Sequence, residues 1–328
     1  AALAVLDDYA AAIDPADLGL ALALAGQPER GVHVLVNAVR SSEQATPKLR
    51  QNLAYAYSKN DPPVFSGLSF DIPAGKMVAI VGASGCGKST LLRLIAGLAA
   101  PTAGEILLDG VPVRGVQHEK VGFLFQQDAL LPWRTVFDNV ALGLRIRGVA
   151  RREIRERVEH WLAKVGLSGF ARHYPAQLSG GMRKRVAIAQ TLITEPELIL
   201  MDEPFTALDA QTRHIMESDL ARLFGEGDRT IVLVTHDLDE AVALADTVVV
   251  MTRGPRSHIK AVEDVGLPRP RDLLAARRSP RAVELTAHLW QLLYEEVGDL
   301  GRAAGLDRPD QEGRVGAAGA LKGSGHGY

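Results

Sequence analysis

Short apolar runs alternate with amphipathic segments from residue 64 onward. Four of these runs are almost continuously apolar and are bounded by glycine, proline, polar or charged residues: MVAIV (77–81), LILM (198–201), TIVLV (230–234) and TVVVM (247–251). Runs of this kind are typical of strands that are buried on both faces of a parallel sheet covered by helices. The pattern predicts an α/β domain over residues 61–300.

A helical pattern dominates between residues 127 and 180. In its central part charged residues occupy one face, the pattern ends at Gly166, and the apolar face carries Ile154, Val158, Trp161, Leu162 and Val165. This spacing indicates an amphipathic helix that is closed by a glycine. We expect residues 127–180 to form a helical subdomain inserted into the α/β domain.

The two ends of the sequence differ from the middle. Residues 1–60 are rich in Ala and Leu and predict short helices, in which part of the pattern recurs after 35 residues. That spacing resembles a tetratricopeptide repeat, and an arbitrary Ala-rich helical hairpin is the alternative. Residues 301–328 are rich in glycine and poor in large apolar side chains, so they predict a disordered tail.

Composition and charge limit the partners. The sequence has 37 Lys and Arg against 39 Asp and Glu, so its net charge of -2 gives no indication of a nucleic-acid partner. Its one cysteine excludes an intramolecular disulfide and suits a reducing compartment. The acidic start does not fit a signal peptide and no apolar stretch approaches about 18 residues, so we expect a cytoplasmic protein whose membrane role needs a partner.

A glycine-rich loop follows the first long apolar run and precedes an apolar helix. It fits the pattern G-x-x-x-x-G-K-S and comprises Gly82, Ala83, Ser84, Gly85, Cys86, Gly87, Lys88, Ser89 and Thr90. Glycines let backbone N–H groups surround phosphate oxygens, and a helix N-terminus adds partial positive charge. The strand, loop and helix context favours an ATP phosphate site over a turn that binds nothing.

Three residues of this loop carry separate expectations. Lys88 is expected to reach the β and γ phosphates, and the Ser89 hydroxyl to hold Mg²⁺, which prefers oxygen ligands. Cys86 is interpreted as a small space-filling residue, with a redox-sensitive thiol as the alternative.

Two carboxylates end the run at 198–201. Asp202 and Glu203 would lie at the carboxyl edge of a buried strand, where ligands of open α/β sheets bind. Asp202 is a candidate Mg²⁺ ligand and Glu203 a candidate base for an attacking water. His236 follows the run at 230–234, so it should emerge at the same edge and contact the γ-phosphate. The alternatives are a solvated acidic turn and a structural histidine.

A further motif resembles the signature of ATP-binding cassette ATPases. It consists of Leu178, Ser179, Gly180, Gly181 and Met182 and is followed by a helix that stops at Glu195 and Pro196. FQQDALLPW around Gln126, FTALD ending at Asp209 and the histidine motif follow the order of that family. The resemblance covers residues 64–298.

The resemblance implies a P-loop NTPase (RecA-like) core with a small antiparallel β-subdomain. It also implies a homodimer in which the signature motif of one chain contacts ATP held by the other chain. Gln126 would sense Mg²⁺ and the attacking water, and Asp209 would cross the dimer interface.

Within the family, the segments from Asp128 to Gly148 and Leu178 to Ile193 are similar to the nitrate, sulfonate and taurine importer branch. That branch implies transmembrane permease subunits, a periplasmic or extracellular binding protein, and a peripheral location on the cytoplasmic face of the cell membrane. Residues 128–140 would receive a short helix of the permease, with Trp133 and Phe137 as anchors or as ordinary core aromatics. The other hypotheses are a soluble cassette protein and an inactive fusion with a protein-binding N-terminus.

One region departs from the family. Its members begin with a strand and an adenine-stacking aromatic residue, whereas KLRQNLAYAYSKNDPP (48–63) predicts a helix here. Tyr57 is the candidate adenine contact. We expect the first strand to be lost or replaced, which would uncover an edge of the β-subdomain and weaken ATP binding.

Overall fold

The computed structural model describes residues 38–39, 53–55 and 62–303, apart from positions 118, 207 and 226–228. A six-stranded sheet forms its centre. In spatial order the strands are β12 (Ile259–Asp264), β11 (Thr247–Met251), β5 (Met77–Gly82), β10 (Thr230–Val234), β9 (Leu198–Asp202) and β8 (Val121–Leu124). All neighbours are parallel except β12, which is antiparallel to β11. The α/β prediction and its four apolar strands are confirmed.

Alternate residues of the central strands face two different cores. On β5, Met77 and Ala79 belong to one buried cluster, whereas Val78 and Ile80 belong to the other. Because successive side chains of a strand point to opposite faces, a strand covered on both sides needs apolar residues at every position. β5, β9 and β10 are buried along their whole length, which explains their uninterrupted apolar runs.

Nine α-helices accompany the strands in the described part of the chain. They are α1 (Lys88–Ala96), α2 (Val136–Val140), α3 (Leu142–Ile146), α4 (Arg151–Lys164), α5 (Gly180–Leu192), α6 (Ala210–Gly225), α7 (Leu238–Leu244), α8 (Leu273–Arg278) and α9 (Pro280–Ala303). Four of them, α2 to α5, follow β8 and precede β9. The predicted amphipathic helix is α4, where Ile154, Val158, Trp161 and Leu162 are buried. Within the described ranges, no helix has the length and apolarity to cross a bilayer.

Short strands precede and follow the first long strand. β1 (Ala38–Val39) lies parallel to β4 (Ile72–Pro73) and β6 (Leu107–Leu108), and β7 (Val111–Pro112) pairs antiparallel with β6. β2 (Leu53–Tyr55) pairs antiparallel with β3 (Phe65–Leu68).

The helix prediction is therefore wrong at residues 38–39 and 53–55, and strands do precede residue 64. Leu53 is paired with Leu68 and Tyr55 with Phe65, and the two aromatic rings lie 6.2 Å apart. Distant pairing partners override the helix propensity of such short segments. The expected uncovered edge is also wrong, because β2 covers β3. The rest of the predicted 1–60 helical segment, Tyr57 and the 304–328 part of the tail lie outside the described residues.

Candidate functional site

The phosphate-binding loop joins β5 to α1 and is shaped by glycines with positive φ. Gly85 has φ 79° and Gly87, the residue that precedes α1, has φ 98°. A Cβ at Gly87 would lie 2.6 Å from the Val64 side chain, so steric contact and backbone conformation both require glycine. The loop leads directly into the N-terminus of α1, where no side chain caps the helix. The N–H groups and the partial positive charge of a helix N-terminus favour the binding of an anion.

Lys88 folds back over this loop. Its ammonium group is buried and donates to the carbonyl oxygens of Gly82 at 2.8 Å and Ala83 at 3.2 Å. These contacts fix the charge beside the loop that the sequence assigns to phosphate. Lys88 therefore lies where an ammonium group would meet phosphate oxygens.

Cys86 is fully buried within the loop. Burial raises the pKa of its thiol, so the neutral form is favoured. A Cβ at Gly82 would lie 2.9 Å from its sulfur, which shows how tightly the thiol fills the space under the loop. These observations favour the space-filling interpretation over a redox-sensitive thiol.

Ser89 and Asp202 meet at the carboxyl edge of the sheet. The Ser89 hydroxyl donates to Asp202 Oδ1 at 2.9 Å, from the first turn of α1 to the end of β9. Burial raises the pKa of the Asp202 carboxyl, although the Ser89 hydrogen bond opposes this rise. A hydroxyl and a carboxylate fit Mg²⁺, which takes oxygen ligands and keeps several waters.

Glu203 and His236 follow the ends of the neighbouring strands β9 and β10 and face each other there. Its Oε2 lies 3.2 Å from His236 Nδ1 and accepts a hydrogen bond of 3.1 Å from the Thr206 hydroxyl. The backbone supports this placement, since Glu203 has φ 43° and its N–H donates to the Val234 carbonyl at 2.9 Å. The carboxylate is thus oriented by two side chains while remaining partly accessible.

The signature motif forms the start of α5. Ser179 is exposed and precedes the helix, and its hydroxyl accepts from the Met182 N–H at 3.3 Å. A Cβ at Gly181 would lie 2.6 Å from the Thr212 side chain of α6, so this turn packs closely against that helix. Leu178 is buried, whereas Ser179 is exposed at the N-terminus of α5. An exposed helix N-terminus can contact an anion held by a second chain.

Asp209 lies immediately before α6 and is exposed. It accepts hydrogen bonds from the Thr212 hydroxyl at 2.6 Å and from the backbone N–H groups of Thr212 and Gln211. These bonds, above all that from the hydroxyl, lower the pKa of its carboxyl. Asp209 is therefore a fixed surface anion.

The segment 128–140 is a braced loop followed by α2. The buried Asn139 side chain accepts from the Leu131 N–H and donates to the carbonyls of Leu131, Arg134 and Thr135. Trp133 is 43% exposed on this loop, whereas Phe137 is partly buried against the core. Trp133 is therefore accessible to a partner, whereas Phe137 contributes mainly to packing.

Two residues near the site carried no recognised sequence signal. Ser257, after β11, is fully buried and donates to the Cys86 carbonyl at 2.6 Å, so it supports the phosphate-binding loop from below. Lys184 on α5 is 2% exposed and donates to the carbonyls of Phe125 and Gln126. Gln126 itself is exposed just after β8. Backbone carbonyls exist at every position, so such contacts leave no motif.

Known proteins resemble this chain over the region just described. Residues 65–206 match the family model of ABC transporters. An uncharacterised ABC transporter ATP-binding protein of Methanocaldococcus jannaschii is 42% identical over 79% of this chain and 96% of its own length. The nitrate transport protein NasD of Klebsiella oxytoca is 42% identical over 70% of this chain and 88% of its own length.

Two further comparisons concern import and assembly. The taurine import ATP-binding protein TauB of Yersinia pestis is 46% identical over 59% of this chain and 75% of its own length. A dimeric structure of an ATP-binding cassette in a post-hydrolysis state, bound to ADP and Pi, has a TM-score of 0.59 and 32% identity and covers 67% of this chain and 98% of its own. The chain belongs to the ATP-binding cassette family of transporter ATPases.

Proposed function

We propose that this chain is the ATP-hydrolysing subunit of a membrane importer for a small anion or sulfonate. The observation that carries the proposal is the convergence of Lys88, Ser89, Asp202 and Glu203 on one edge of the sheet, with His236 beside Glu203. The relatives named for nitrate and taurine transport support the importer branch.

The phosphate-binding loop holds the triphosphate by geometry and charge. Backbone N–H groups of residues 82–90 and the N-terminus of α1 surround the phosphates, with Lys88 beside the β and γ groups. Ser89 and Asp202 would hold Mg²⁺, with Gln126 as a further contact, and that ion would supply positive charge beside the transferred phosphoryl group. Tyr57 would stack on the adenine ring.

Hydrolysis then needs a positioned water. Glu203 accepts a proton from water while the water oxygen forms a bond to the γ-phosphorus, and the bond from that phosphorus to the β–γ bridging oxygen breaks. The products are ADP and inorganic phosphate. His236 Nδ1 lies 3.2 Å from Glu203 Oε2, so it orients the base, and it would contact the γ-phosphate from the same edge of the sheet.

The partners follow from the exposed elements. Two chains pair head to tail, so that Ser179, Gly180 and Gly181 of one chain complete the γ-phosphate site of the other, and Asp209 lies at their interface. Permease subunits contact residues 128–140, with Trp133 as an anchor, and a periplasmic or extracellular binding protein delivers the cargo. The assembly would place this chain on the cytoplasmic face of the membrane.

Phosphate release from Mg²⁺-ATP tests the catalytic part of the proposal. Glu203→Gln should lower kcat by at least 100-fold, because the amide cannot accept the proton, while ATP binding persists. Glu197→Gln is the matched control, because Glu197 lies just before β9 and Glu203 just after it. Near-normal turnover in Glu203→Gln would remove Glu203 from its role.

Co-purification tests the transport part. A tagged full-length chain should bring down a membrane permease, and Trp133→Ala should reduce that recovery without changing basal hydrolysis. Recovery of ribosomes or DNA instead would favour a soluble cassette protein. An absence of hydrolysis in the wild-type chain would favour an inactive fusion.

A further inference from the structure

Lys184 is a buried cation that hydrogen-bonds to the loop containing Gln126. It is 2% exposed on α5, and its ammonium donates to the carbonyls of Phe125 and Gln126, both at 3.1 Å. The carboxylate of Asp128 lies 3.1 Å from the same nitrogen. Three oxygens of one four-residue segment therefore surround one charge.

Burial of the Lys184 ammonium group costs free energy unless its N–H groups find acceptors. Here the carbonyls of Phe125 and Gln126 accept hydrogen bonds, and the Asp128 carboxylate lies within ion-pair distance. The loop that carries Gln126 cannot shift without breaking contacts to Lys184. Moving α5 would likewise pull the loop.

The neighbouring residue links the same loop to the signature motif. Arg183 Nη1 donates to the Leu178 carbonyl at 2.8 Å, and its Nε lies 3.5 Å from Asp128 Oδ2. Leu178 directly precedes Ser179. Arg183 and Lys184 thus join the start of α5, the signature loop and the Gln126 loop into one set of contacts.

We propose that Lys184 is a positioning residue for ATP hydrolysis, which ties the Gln126 loop to the signature helix so that both move as one unit. The inference rests on the proposed function, because Lys184 contacts the loop that carries Gln126 and acts on hydrolysis only through that loop. The inference adds a direct contact between the Gln126 loop, which precedes residues 128–140, and α5, whose start carries the signature motif that we propose contacts the second chain.

A double-mutant cycle separates this role from simple packing. Lys184→Met removes the charge and the donors at similar side-chain length, and Gln126→Ala removes the side chain that is positioned. Each single change should lower kcat at least tenfold while KM for ATP stays within about twofold. The double variant should be no slower than Gln126→Ala alone, because the two residues act on one step.

A second readout does not depend on turnover. Backbone amide exchange over residues 125–130 should become at least tenfold faster in Lys184→Met than in the wild type, in the absence of nucleotide. Lys120→Met is the matched control, since the Lys120 ammonium lies 3.1 Å from the Asp109 carboxylate, which is not part of the Gln126 loop. It should change neither kcat nor the exchange of residues 125–130.

The outcomes have separate meanings. Multiplicative losses in the double variant, or unchanged exchange in Lys184→Met, overturn the positioning role. Normal kcat in Lys184→Met beside a slow Gln126→Ala contradicts this inference alone, whereas normal kcat in Gln126→Ala contradicts the proposed role of Gln126 and the inference with it. If Lys184→Met does not fold, Lys184→Leu, which also removes the charge and the donors, takes its place in the same cycle.

Discussion

The carboxyl of Glu240 lies in the protein interior behind the loop that carries His236. Its Oε2 accepts a hydrogen bond of 2.9 Å from Thr235, and the side chain is 4% exposed. Burial, with smaller contributions from Glu217 and Asp237, raises its pKa from 4.5 to about 8. Glu240 should therefore be largely protonated at neutral pH.

The sign of the pH effect follows from proton binding. Between pH 4.5 and about 8 the folded chain keeps a proton on Glu240 that the unfolded chain releases. The free energy of unfolding therefore falls as pH rises through this window and levels off above pH 8. At about 1.4 kcal/mol for each tenfold difference in proton affinity, the loss at the upper end is on the order of 5 kcal/mol.

Glu240→Gln removes this loss, because a neutral amide can still accept from Thr235 and has no proton to release. Urea unfolding from pH 5 to 9 should give similar stabilities for both proteins at pH 5 and a progressively more stable variant up to pH 8. The contribution from Asp202 is common to both proteins and cancels in the difference, whereas the small coupling to Glu217 belongs to the Glu240 effect that is measured. Glu284→Gln, at an exposed position on α9, is the control.

Curves for wild type and Glu240→Gln that stay parallel across this range would refute the reasoning. Such a result would mean that Glu240 keeps a similar proton affinity in the folded and unfolded chains.

Three further changes probe the nucleotide site. Gly87→Ala should weaken binding of a fluorescent ATP analogue at least tenfold, since its Cβ would meet Val64 at 2.6 Å, whereas Gly169→Ala, with open space around it, should not. Ser257→Ala removes a hydroxyl that donates to the Cys86 carbonyl at 2.6 Å, with the Val64 carbonyl at 3.2 Å as the other acceptor within reach. It should lower the free energy of unfolding by about 1 to 3 kcal/mol in urea titrations. Ser89→Ala should raise the Mg²⁺ concentration for half-maximal phosphate release several-fold, and unchanged values would exclude Ser89 as a ligand.

The long strands were predictable because burial on both faces leaves a continuous apolar run. β1 and β2 were not, because segments of two and three residues are too short to show a period. Their pairing depends on partners at least ten residues away in the chain, such as Ile72 and Leu68. Local propensity therefore favoured a helix where distant pairing produced strands.

The site divides in the same way. The glycine-rich turn between β5 and α1 was predictable because its glycines and Lys88 stand at fixed spacing between an apolar strand and an apolar helix. Ser257 and Lys184 were not, because they bind backbone carbonyls that no side-chain pattern reveals, and Ser257 reaches Cys86 across 171 positions of the chain. The supporting contacts became visible only in three dimensions.

The most direct test of the account is the ATP-dependent pairing of two chains, measured by sedimentation velocity. In the Glu203→Gln background, Mg²⁺-ATP should convert monomers to dimers, and adding Ser179→Arg should abolish the dimer while each chain still binds ATP. Dimers that persist with Ser179→Arg, or a Glu203→Gln chain that stays monomeric when saturated with ATP, would contradict the shared site.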